Sequence, residues 1–385
     1  MPMVENEKRT LRRTRRFGRL KGAWIFVASG ALALFTVFVL LDTFAIARVQ
    51  QTALAADYSS IVNAQGESGS ASSGSESAGS SAGDSASASS GADASSSASA
   101  ESSKGKHKRG SGGPGGNSSG SSKKSSSTAS DSTAVAGAAQ ASSDGEQIGT
   151  YSDDNMQVAV SKVRAYDTDI YVADVQVSSA AYLKTALAQN SFGRNLKDTT
   201  SNMADAAGAV LAINGDYYGF RDYGYVLRNG VLYRDTAASG TDALVVYGDG
   251  SMGAVSQDEA SAQQLKDSGA WQVLSFGPVL VNDGKVAVSA DDEVDQSMGS
   301  NPRTAIGMVS PLHYVVVVSD GRTDDNAGLS LNQLAQVLVD NGATFAYNLD
   351  GGGSTTMYFQ GEVLNSPTSG NRDGERQVSD IVYFG

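Results

Sequence analysis

Three loops of this 385-residue chain begin with a carboxylate beside glycine, directly after an apolar run. They are Asn214-Gly215-Asp216, Ser319-Asp320-Gly321-Arg322 and Asp350-Gly351-Gly352-Gly353-Ser354. A buried strand fixes the position of the loop residue that follows it, and active sites often lie where strands end. Asp216, Asp320 and Asp350 are therefore the candidate catalytic carboxylates.

The third of these loops has the composition of an anion-binding turn. Gly351, Gly352 and Gly353 would let backbone N–H groups approach a phosphate, and Ser354 and Thr355 would add hydroxyl donors. A glycine triplet alone also fits an ordinary turn. The prediction of a phosphate site thus depends on the carboxylate before the triplet and the hydroxyls after it.

Three arginines adjoin the candidate loops or the ends of predicted strands: Arg303, Arg322 and Arg376. The planar guanidinium donates two parallel hydrogen bonds to a phosphate, so each arginine is a candidate phosphate ligand. The alternative for each is an ion pair with a structural aspartate, which is common in an acidic domain.

Several classes of site are excluded by composition. The chain has no Cys and two His, which removes thiolate nucleophiles and Cys-ligated zinc and leaves little room for a Ser-His-Asp triad. His313 is expected to be a structural residue at the start of a strand. The net charge of −12 argues against nucleic acid as a partner, because binding to phosphate backbones needs a basic surface.

The elements that position these loops lie in residues 150–385, which we expect to form one domain. Short apolar stretches bounded by Gly, Asn and Asp predict an α+β fold with a mixed β-sheet core and a few flanking helices. Tyr314–Val318 is predicted as a buried central strand, and Asn229-Gly230 as the turn of a hairpin. The predicted helices are Ser179–Ala188, a helix that has Thr199 or Thr200 as its N-cap and runs through Ala207, Asp258–Asp267 and Leu329–Val339.

The N-terminal part of the chain has the pattern of a membrane anchor. Residues 1–21 are rich in Lys and Arg and are predicted to be cytoplasmic, and residues 22–46 are predicted to form a transmembrane helix. The uncharged run Gly22–Leu41 would be about 30 Å long as a helix, the thickness of a hydrocarbon core. The C-terminal domain would then be extracytoplasmic. The alternative is a secretory signal cleaved near Ala53-Leu54-Ala55.

Residues 56–147 are composed mainly of Ser, Ala and Gly and show no hydrophobic periodicity. Such a segment buries too little apolar surface to offset the entropy of ordering, so a disordered linker is predicted. A flexible linker of this length would have a root-mean-square reach of about 50 Å. We therefore expect it to act as a tether between the membrane and the domain.

Taken in order along the chain, the motifs of the domain resemble those of the phosphodiester glycosidase family. The motifs are Asn214–Tyr218, Asn301–Gly307, Ser319–Arg322, Gly328–Ser330, Asn348–Met357 and Glu375–Ser379. The resemblance extends over most of residues 155–385. The resemblance implies hydrolysis of a sugar-1-phosphate diester, with release of a sugar such as N-acetylglucosamine. It also implies a bacterial protein associated with exopolysaccharide or the cell wall.

Under this hypothesis Asp350 or Asp216 supplies the carboxylate that activates water or attacks the sugar. Arg303, Arg322 and the three glycines would hold phosphate, while Asn214, Asp320 and Thr355 would orient sugar hydroxyls. The remaining predicted substrate-binding residues are Thr304, Ser354 and Arg376. No cofactor is required by the sequence, although the three aspartates could also ligate Ca²⁺ or Mg²⁺.

The expected partners are a sugar-phosphate or cell-wall glycopolymer substrate and, through the N-terminal helix, a membrane. Two other functions fit the same residues. One is a non-catalytic module that binds glycan or wall polymer on a membrane-anchored stalk. The other is transfer of the sugar or the phosphate to an acceptor instead of hydrolysis.

Overall fold

The computed structural model describes residues 27–42, 46–54, 58–59, 61, 145–289, 299–369 and 372–385. Within these ranges, strands outnumber helices and form several antiparallel sheets. The strands are β1 (Arg48–Thr52), β2 (Glu146–Ser152), β3 (Met156–Ala165), β4 (Thr168–Val177), β5 (Leu183–Leu187), β6 (Ser191–Arg194), β7 (Leu211–Asn214), β8 (Val226–Arg228), β9 (Val231–Arg234), β10 (Asp242–Tyr247), β11 (Met252–Ser256), β12 (Ala270–Leu274), β13 (Val279–Asn282), β14 (Lys285–Val286), β15 (Arg303–Ser310), β16 (His313–Ser319), β17 (Phe345–Asn348), β18 (Met357–Phe359), β19 (Glu362–Val363), β20 (Thr368–Ser369), β21 (Arg372–Asp373) and β22 (Asp380–Phe384).

Three α-helices flank the sheets of the domain, and their ends are specified by local sequence. They are α1 (Thr200–Ala207), α2 (Ala262–Asp267) and α3 (Leu331–Asp340). The Thr199 side chain caps α1 by accepting from the Asn202 N–H, and Gly208 ends the helix in the left-handed conformation. The sheet-dominated α+β class and the predicted α1 are confirmed.

The largest sheet has eight strands in the order β14-β13-β17-β15-β16-β4-β3-β2. Its strand β16 is central, as the sequence predicts, and both of its faces are buried. Side chains alternate across a strand, so Val315 and Val317 pack with α3 on one face while Tyr314, Val316 and Val318 pack into the main core on the other. Strand β17, next to β15, ends at Asn348, two residues before Asp350, and so positions the loop that contains this predicted site residue.

A five-stranded sheet in the order β19-β18-β7-β22-β5 positions a second of the predicted site loops, the one at Asp216. Strands β7 and β22 are antiparallel, with Asn214 paired to Ile381. The end of β7 therefore lies beside the start of β22, which places the loop at Asp216 next to Asp380. A second five-stranded sheet has the order β11-β10-β12-β8-β9 and contains the hairpin predicted at Asn229-Gly230.

One predicted helix is wrong and another is too long. Residues 179–188 were expected to be helical, but they form the 3-10 turn Ala180–Tyr182 followed by β5. Strand β5 pairs along its whole length with β22, and this long-range pairing outweighs the local helix preference of its alanines and leucines. Helix α2 occupies only the second half of the range predicted at Asp258–Asp267.

Residues 27–42 are helical, with large apolar side chains exposed along the helix. Among the described residues, none of the helices combines the length and the apolar character needed to cross a bilayer. The predictions for residues 1–26 and 43–45 and for residues 62–144 of the linker lie outside the described residues. Of the predicted linker, residues 58–59, 61 and 145–147 are described. Residues 146–147 already belong to strand β2, so the domain begins slightly earlier than residue 150.

Candidate functional site

A cavity of about 630 Å³ opens where the loops after β7 and β17 meet the segment before β22. It brings together four of the predicted site residues, which are far apart in the sequence: Asp216, Asp350, Ser354 and Arg376. The other residues that line it are Lys197, Tyr217, Phe220, Ser369, Asp373, Gly374, Glu375, Gln377, Val378 and Ser379.

Backbone hydrogen bonds hold the three chain segments together at the cavity. The Gly215 N–H donates to the Asp380 carbonyl oxygen at 2.9 Å, and the Asp350 N–H donates to the Gly215 carbonyl oxygen at 3.4 Å. The Asn214 side chain links the same segments, because its Nδ2 donates to the Asp350 carbonyl oxygen at 2.6 Å. The two candidate carboxylates are therefore fixed relative to each other by the main chain.

Asp216 is fully enclosed by donors of the protein. Its Oδ1 accepts from the Tyr218 N–H at 3.0 Å, and its Oδ2 accepts from the Ser275 N–H at 2.8 Å. Arg228 Nη2 lies 2.9 Å from the same Oδ2. Protein donors thus occupy about three of the four lone-pair sites of this carboxylate, which anchors Asp216 firmly in the cavity wall.

Arg228 lies between two carboxylates. Its Nη2 is 2.8 Å from Asp380 Oδ2, and its Nε donates to the same oxygen at 2.9 Å. The side chains of Asp216, Arg228 and Asp380 are all buried. Burial opposes the charged guanidinium, but the two carboxylates outweigh it and raise the pKa of Arg228.

In this triad, burial and a neighbouring carboxylate disfavour the charged form of Asp380. Burial raises its pKa to about 7, and the nearby negative charge of Asp216 acts in the same direction, against the attraction of Arg228. Its Oδ1 has no hydrogen-bond partner in the described part of the chain. That oxygen lies against Gly215, where the Cβ of any other residue would collide with it, so the glycine of the Asn214-Gly215-Asp216 motif makes room for Asp380.

Asp350 is the carboxylate that faces the cavity with a perturbed proton affinity. Burial raises its pKa, and the Ser354 hydroxyl, Arg376 and the Gly351 N–H oppose that shift by stabilising the charged form. Its Oδ1 accepts from the Gly351 N–H at 3.0 Å. A carboxyl group in such a site can exchange a proton with bound substrate or water.

The three glycines after Asp350 allow guanidinium groups to approach the backbone. A Cβ on Gly353 would lie 2.5 Å from Arg376 Nη2, and a Cβ on Gly352 would lie 3.0 Å from Arg322 Nη2. A Cβ on Gly351 would lie 2.9 Å from the Pro302 carbonyl oxygen. These close contacts explain why all three residues, Gly351, Gly352 and Gly353, are glycine.

The predicted anion-binding nest depends on backbone N–H groups of this loop, most of which donate to acceptors within the protein. The Gly351 N–H donates to the Asp350 carboxylate, and the Gly352 N–H donates to the Pro302 carbonyl oxygen at 2.8 Å. The N–H groups of Ser354 and Thr355 close short turns within the loop. These four N–H groups therefore have acceptors within the protein and are not free to bind a phosphate, while the loop also supports the side chains of Arg322 and Arg376.

Arg303 also differs from its predicted role at phosphate. Its Nε donates to the Leu329 carbonyl oxygen and its Nη2 to the Gly299 carbonyl oxygen, both at 3.0 Å. The side chain is buried and is not part of the cavity wall. Arg303 thus ties the start of β15 to neighbouring loops.

Three buried polar residues predicted to contact substrate instead hold the loops together. Thr304 Oγ1 donates to Asn214 Oδ1 at 2.8 Å, and the Thr356 N–H donates to the same oxygen at 3.2 Å. The Thr355 carbonyl oxygen accepts from Asn365 Nδ2 at 3.1 Å. Asn214, Thr304 and Thr355 are all buried and lie outside the set of residues that line the cavity.

Asp320 and Arg322 lie beside the cavity wall rather than on it. Asp320 Oδ1 accepts from the Ser366 N–H at 2.7 Å, and burial raises the pKa of this carboxyl group. Arg322 Nε donates to Asn301 Oδ1 at 2.9 Å, while its guanidinium lies against Gly352. Asp320 is therefore placed to fix the loop at residues 365–366, and it does not meet Asp350 in the cavity.

The prediction that three aspartates could ligate a cation finds no geometric support. No group of three or more His, Cys, Asp or Glu side chains in the described residues is arranged to hold a metal ion. Asp320 lies outside the cavity that contains Asp216 and Asp350, and the oxygens of Asp216 are engaged by protein donors.

Sequence reasoning missed Arg228 and Asp380. Arg228 lies on the predicted hairpin strand before Asn229-Gly230, where an arginine is usually solvent-exposed. Asp380 follows the last quoted motif by one residue and, like the three loop carboxylates, adjoins an apolar strand. The position of Asp380 beside an apolar strand could have identified it as a candidate site residue. It could not have revealed its partner, because Arg228 is 152 residues away in the sequence. His313 begins β16 as predicted and contacts Asp174 at 3.0 Å.

Comparison with known proteins gives one family. Residues 207–385 match the model of the family described as phosphodiester glycosidase. Over 232 residues the chain is 30% identical to the SPbeta prophage-derived uncharacterized protein YomE of Bacillus subtilis, covering 58% of this chain and 35% of that protein. It is 28% identical over 204 residues to human N-acetylglucosamine-1-phosphodiester alpha-N-acetylglucosaminidase, covering 48% of this chain and 39% of that protein.

The chain spans less than two fifths of the length of these curated relatives. Among solved structures, the catalytic domain of the zebrafish N-acetylglucosamine-1-phosphodiester alpha-N-acetylglucosaminidase is similar, with a TM-score of 0.48 and 19% sequence identity over 63% of this chain and 87% of that one. This structural similarity is too distant to bear on function. Residues 207–385 are therefore assigned to the phosphodiester glycosidase family.

Proposed function

We propose that this domain hydrolyses the bond between a sugar and phosphate in a sugar-1-phosphate diester, with Asp350 as general base. The observation that supports this assignment is the pairing of Asp350 with Arg376 in one cavity, where the guanidinium lies against Gly353. A phosphodiester presents both an electrophilic anomeric carbon and an anion. A cavity with a carboxylate and a guanidinium matches both.

In the proposed reaction, Asp350 accepts a proton from water as the water oxygen bonds to the anomeric carbon. The bond between that carbon and the bridging oxygen breaks, and the phosphate monoester leaves with the electron pair. A phosphate leaving group needs little protonation, so one carboxylate and a cation suffice. Arg376 and Lys197, which both line the cavity, would stabilise the developing negative charge.

Asp350 is preferred to Asp216 as the base because of their hydrogen bonds. Asp216 is occupied by two N–H groups and Arg228 on its two oxygens. Asp350 accepts only one backbone N–H and one hydroxyl and has no arginine on its oxygens at ion-pair distance in the described residues, although both carboxylates line the cavity. For this reason the proposed reaction assigns the role of base to Asp350.

The test is turnover by the purified full chain on a panel of sugar-1-phosphate diesters, measured as free sugar released. Asp350→Asn keeps the shape of the side chain but cannot accept the proton, and we expect a loss of about 10²- to 10⁴-fold in kcat, the usual contribution of a general base. Asp283→Asn is the matched control, because Asp283 lies in an exposed turn that also accepts Asn.

Three results would contradict the proposal in different ways. Full activity of Asp350→Asn would remove Asp350 as the base. Tight binding of diesters without release of sugar would indicate the glycan-binding module, and transfer of the sugar to an added acceptor without free sugar would indicate a transferase.

We further propose that the domain acts outside the cytoplasm, at a cell-surface or extracellular glycopolymer. The support is in the sequence: a basic segment, residues 1–21, precedes the uncharged run Gly22–Leu41. Protease added to intact cells should digest the domain but not a cytoplasmic marker protein. Protection of the domain until the cells are lysed would contradict this location.

A further inference from the structure

The short strand β1, which precedes the Ser/Ala/Gly-rich segment, is docked on the domain. It pairs antiparallel with β6, with Arg48 opposite Arg194 and Thr52 opposite Ser191. Among the described residues, β1 is the sole strand partner of β6. The N-terminal part of the chain therefore completes the edge of the domain at β6, a strand that lies more than a hundred residues further along the chain.

Side-chain and backbone contacts extend the docking on both sides of β1. Before the strand, Asn195 Nδ2 donates to the Ile46 carbonyl oxygen at 2.9 Å. After it, the Ala53 N–H donates to the Asn190 carbonyl oxygen at 2.9 Å. The Leu54 N–H then donates to the Tyr233 hydroxyl at 3.1 Å.

Two larger side chains anchor the end of the docked segment. The Tyr58 hydroxyl donates to the Gly248 carbonyl oxygen at 2.5 Å, and its ring meets Trp271 edge-on with 5.0 Å between centroids. Ile61 is 7% exposed and lies against Gly230, whose missing Cβ leaves it room. A buried aromatic contact and a buried isoleucine add to the strand pairing a hydrophobic contribution to association.

From these contacts we infer that residues 46–54, together with Tyr58 and Ile61, form an intramolecular clamp that retains the domain on the N-terminal part of the chain even when the chain is cut between residues 62 and 144. A plain tether would leave the domain free within about 50 Å. The clamp instead holds it directly beside the helix at residues 27–42. A cut between residues 62 and 144 would then produce two chains that stay together.

A specific protease site inserted after Ala100 in the full chain, with a tag at the N-terminus, tests this directly. After complete cleavage in non-denaturing buffer with mild detergent, the tagged piece should retain the domain on affinity resin. Concentrated guanidinium should release it, which shows that cleavage is complete. Loss of the domain from the resin without denaturant would overturn the proposal.

Gly193 offers a variant directed at the strand pairing. A Cβ at this position would collide with the Arg48 carbonyl oxygen, and the other close neighbour is the flexible Leu196 side chain. Gly193→Val should therefore increase dissociation of the cleaved pieces at least tenfold. Gly253→Val is the matched control, because it also lies in a strand and a Cβ there would meet nothing within 4 Å.

Tyr58→Ala provides a second measurement that does not alter residues of the domain itself. It removes the contact with Trp271 and the hydrogen bond to Gly248, so dissociation of the cleaved pieces should again increase at least tenfold. Dissociation unchanged from the cleaved parent chain in both Gly193→Val and Tyr58→Ala would contradict the clamp, whatever the folding yield of either variant.

Discussion

Arg376 packs its guanidinium against the backbone of Gly353, with Nη2 2.5 Å from the place that a Cβ would occupy. Gly353 therefore leaves the space that the guanidinium of Arg376, the candidate phosphate ligand, occupies. Because Arg376 is long and flexible, an added methyl group would displace the guanidinium without forcing the main chain to move.

Gly353→Ala is therefore expected to weaken substrate binding while leaving the fold intact. Displacement of Arg376 from the cavity should raise KM about tenfold or more, with a change in Tm no larger than that of Gly253→Ala. Steady-state kinetics and thermal unfolding of both variants check this. An unchanged KM would show that Arg376 does not bind the phosphate from this position.

Removal of the guanidinium from the buried triad should be strongly destabilising. Arg228→Met leaves Asp216 and Asp380 close together without a counter-charge, and loss of one member of a buried ion pair costs about 3–5 kcal/mol. Urea unfolding at pH 7 measures the free energy of unfolding. The double variant Arg228→Met/Asp380→Asn should recover part of the loss, because one of the two carboxylates is then neutral.

Asp380 predicts a pH dependence of stability. Burial raises its pKa to about 7 in the folded protein, above the ordinary value of 3.8, so the folded state binds this proton more tightly than the unfolded state. The stabilising contribution is complete below about pH 4 and is lost as the pH rises towards about 7. The free energy of unfolding, measured relative to Asp380→Asn, should therefore fall between these pH values and level off above pH 7.

Arg376 should also influence the pH dependence of turnover. A base must be deprotonated to act, so kcat/KM should rise with pH through the pKa of Asp350, which burial raises and Arg376 partly lowers. Arg376→Gln removes that opposing effect and should move the acid limb of the profile to higher pH. Arg376→Lys, which keeps the charge, should restore it; a limb that stays in place in both variants would contradict the pairing.

The sequence predicted the parts of the site that depend on local order. Asp216 and Asp350 each follow an apolar run, and a strand that ends before a glycine-rich loop is recognisable without knowledge of its neighbours. For the same reason helix α1 and the hairpin at Asn229-Gly230 were predicted correctly, and the N-cap of α1 is Thr199, one of the two residues that the sequence offered.

Features created by pairing distant segments were not accessible in this way. The Arg228–Asp380 ion pair needs β8 and β22 to meet, and the residues predicted as a helix at 179–188 became a strand because β22 lies beside them. The roles of Arg303 and Asn214 follow from backbone acceptors that no motif encodes. A list of polar residues near loops does not distinguish those that face the cavity from those that hold its walls.

The pairing of β1 with β6 has a consequence for transplanting this domain into other proteins. A fragment that starts at residue 145 would leave the hydrogen-bonding edge of β6 bare and would uncover the apolar surface of Trp271. Unpaired strand edges beside apolar surface promote self-association between molecules. Fusion proteins that include residues 46–61, joined to residue 145 by a shorter flexible linker, should stay monodisperse where the bare fragment aggregates.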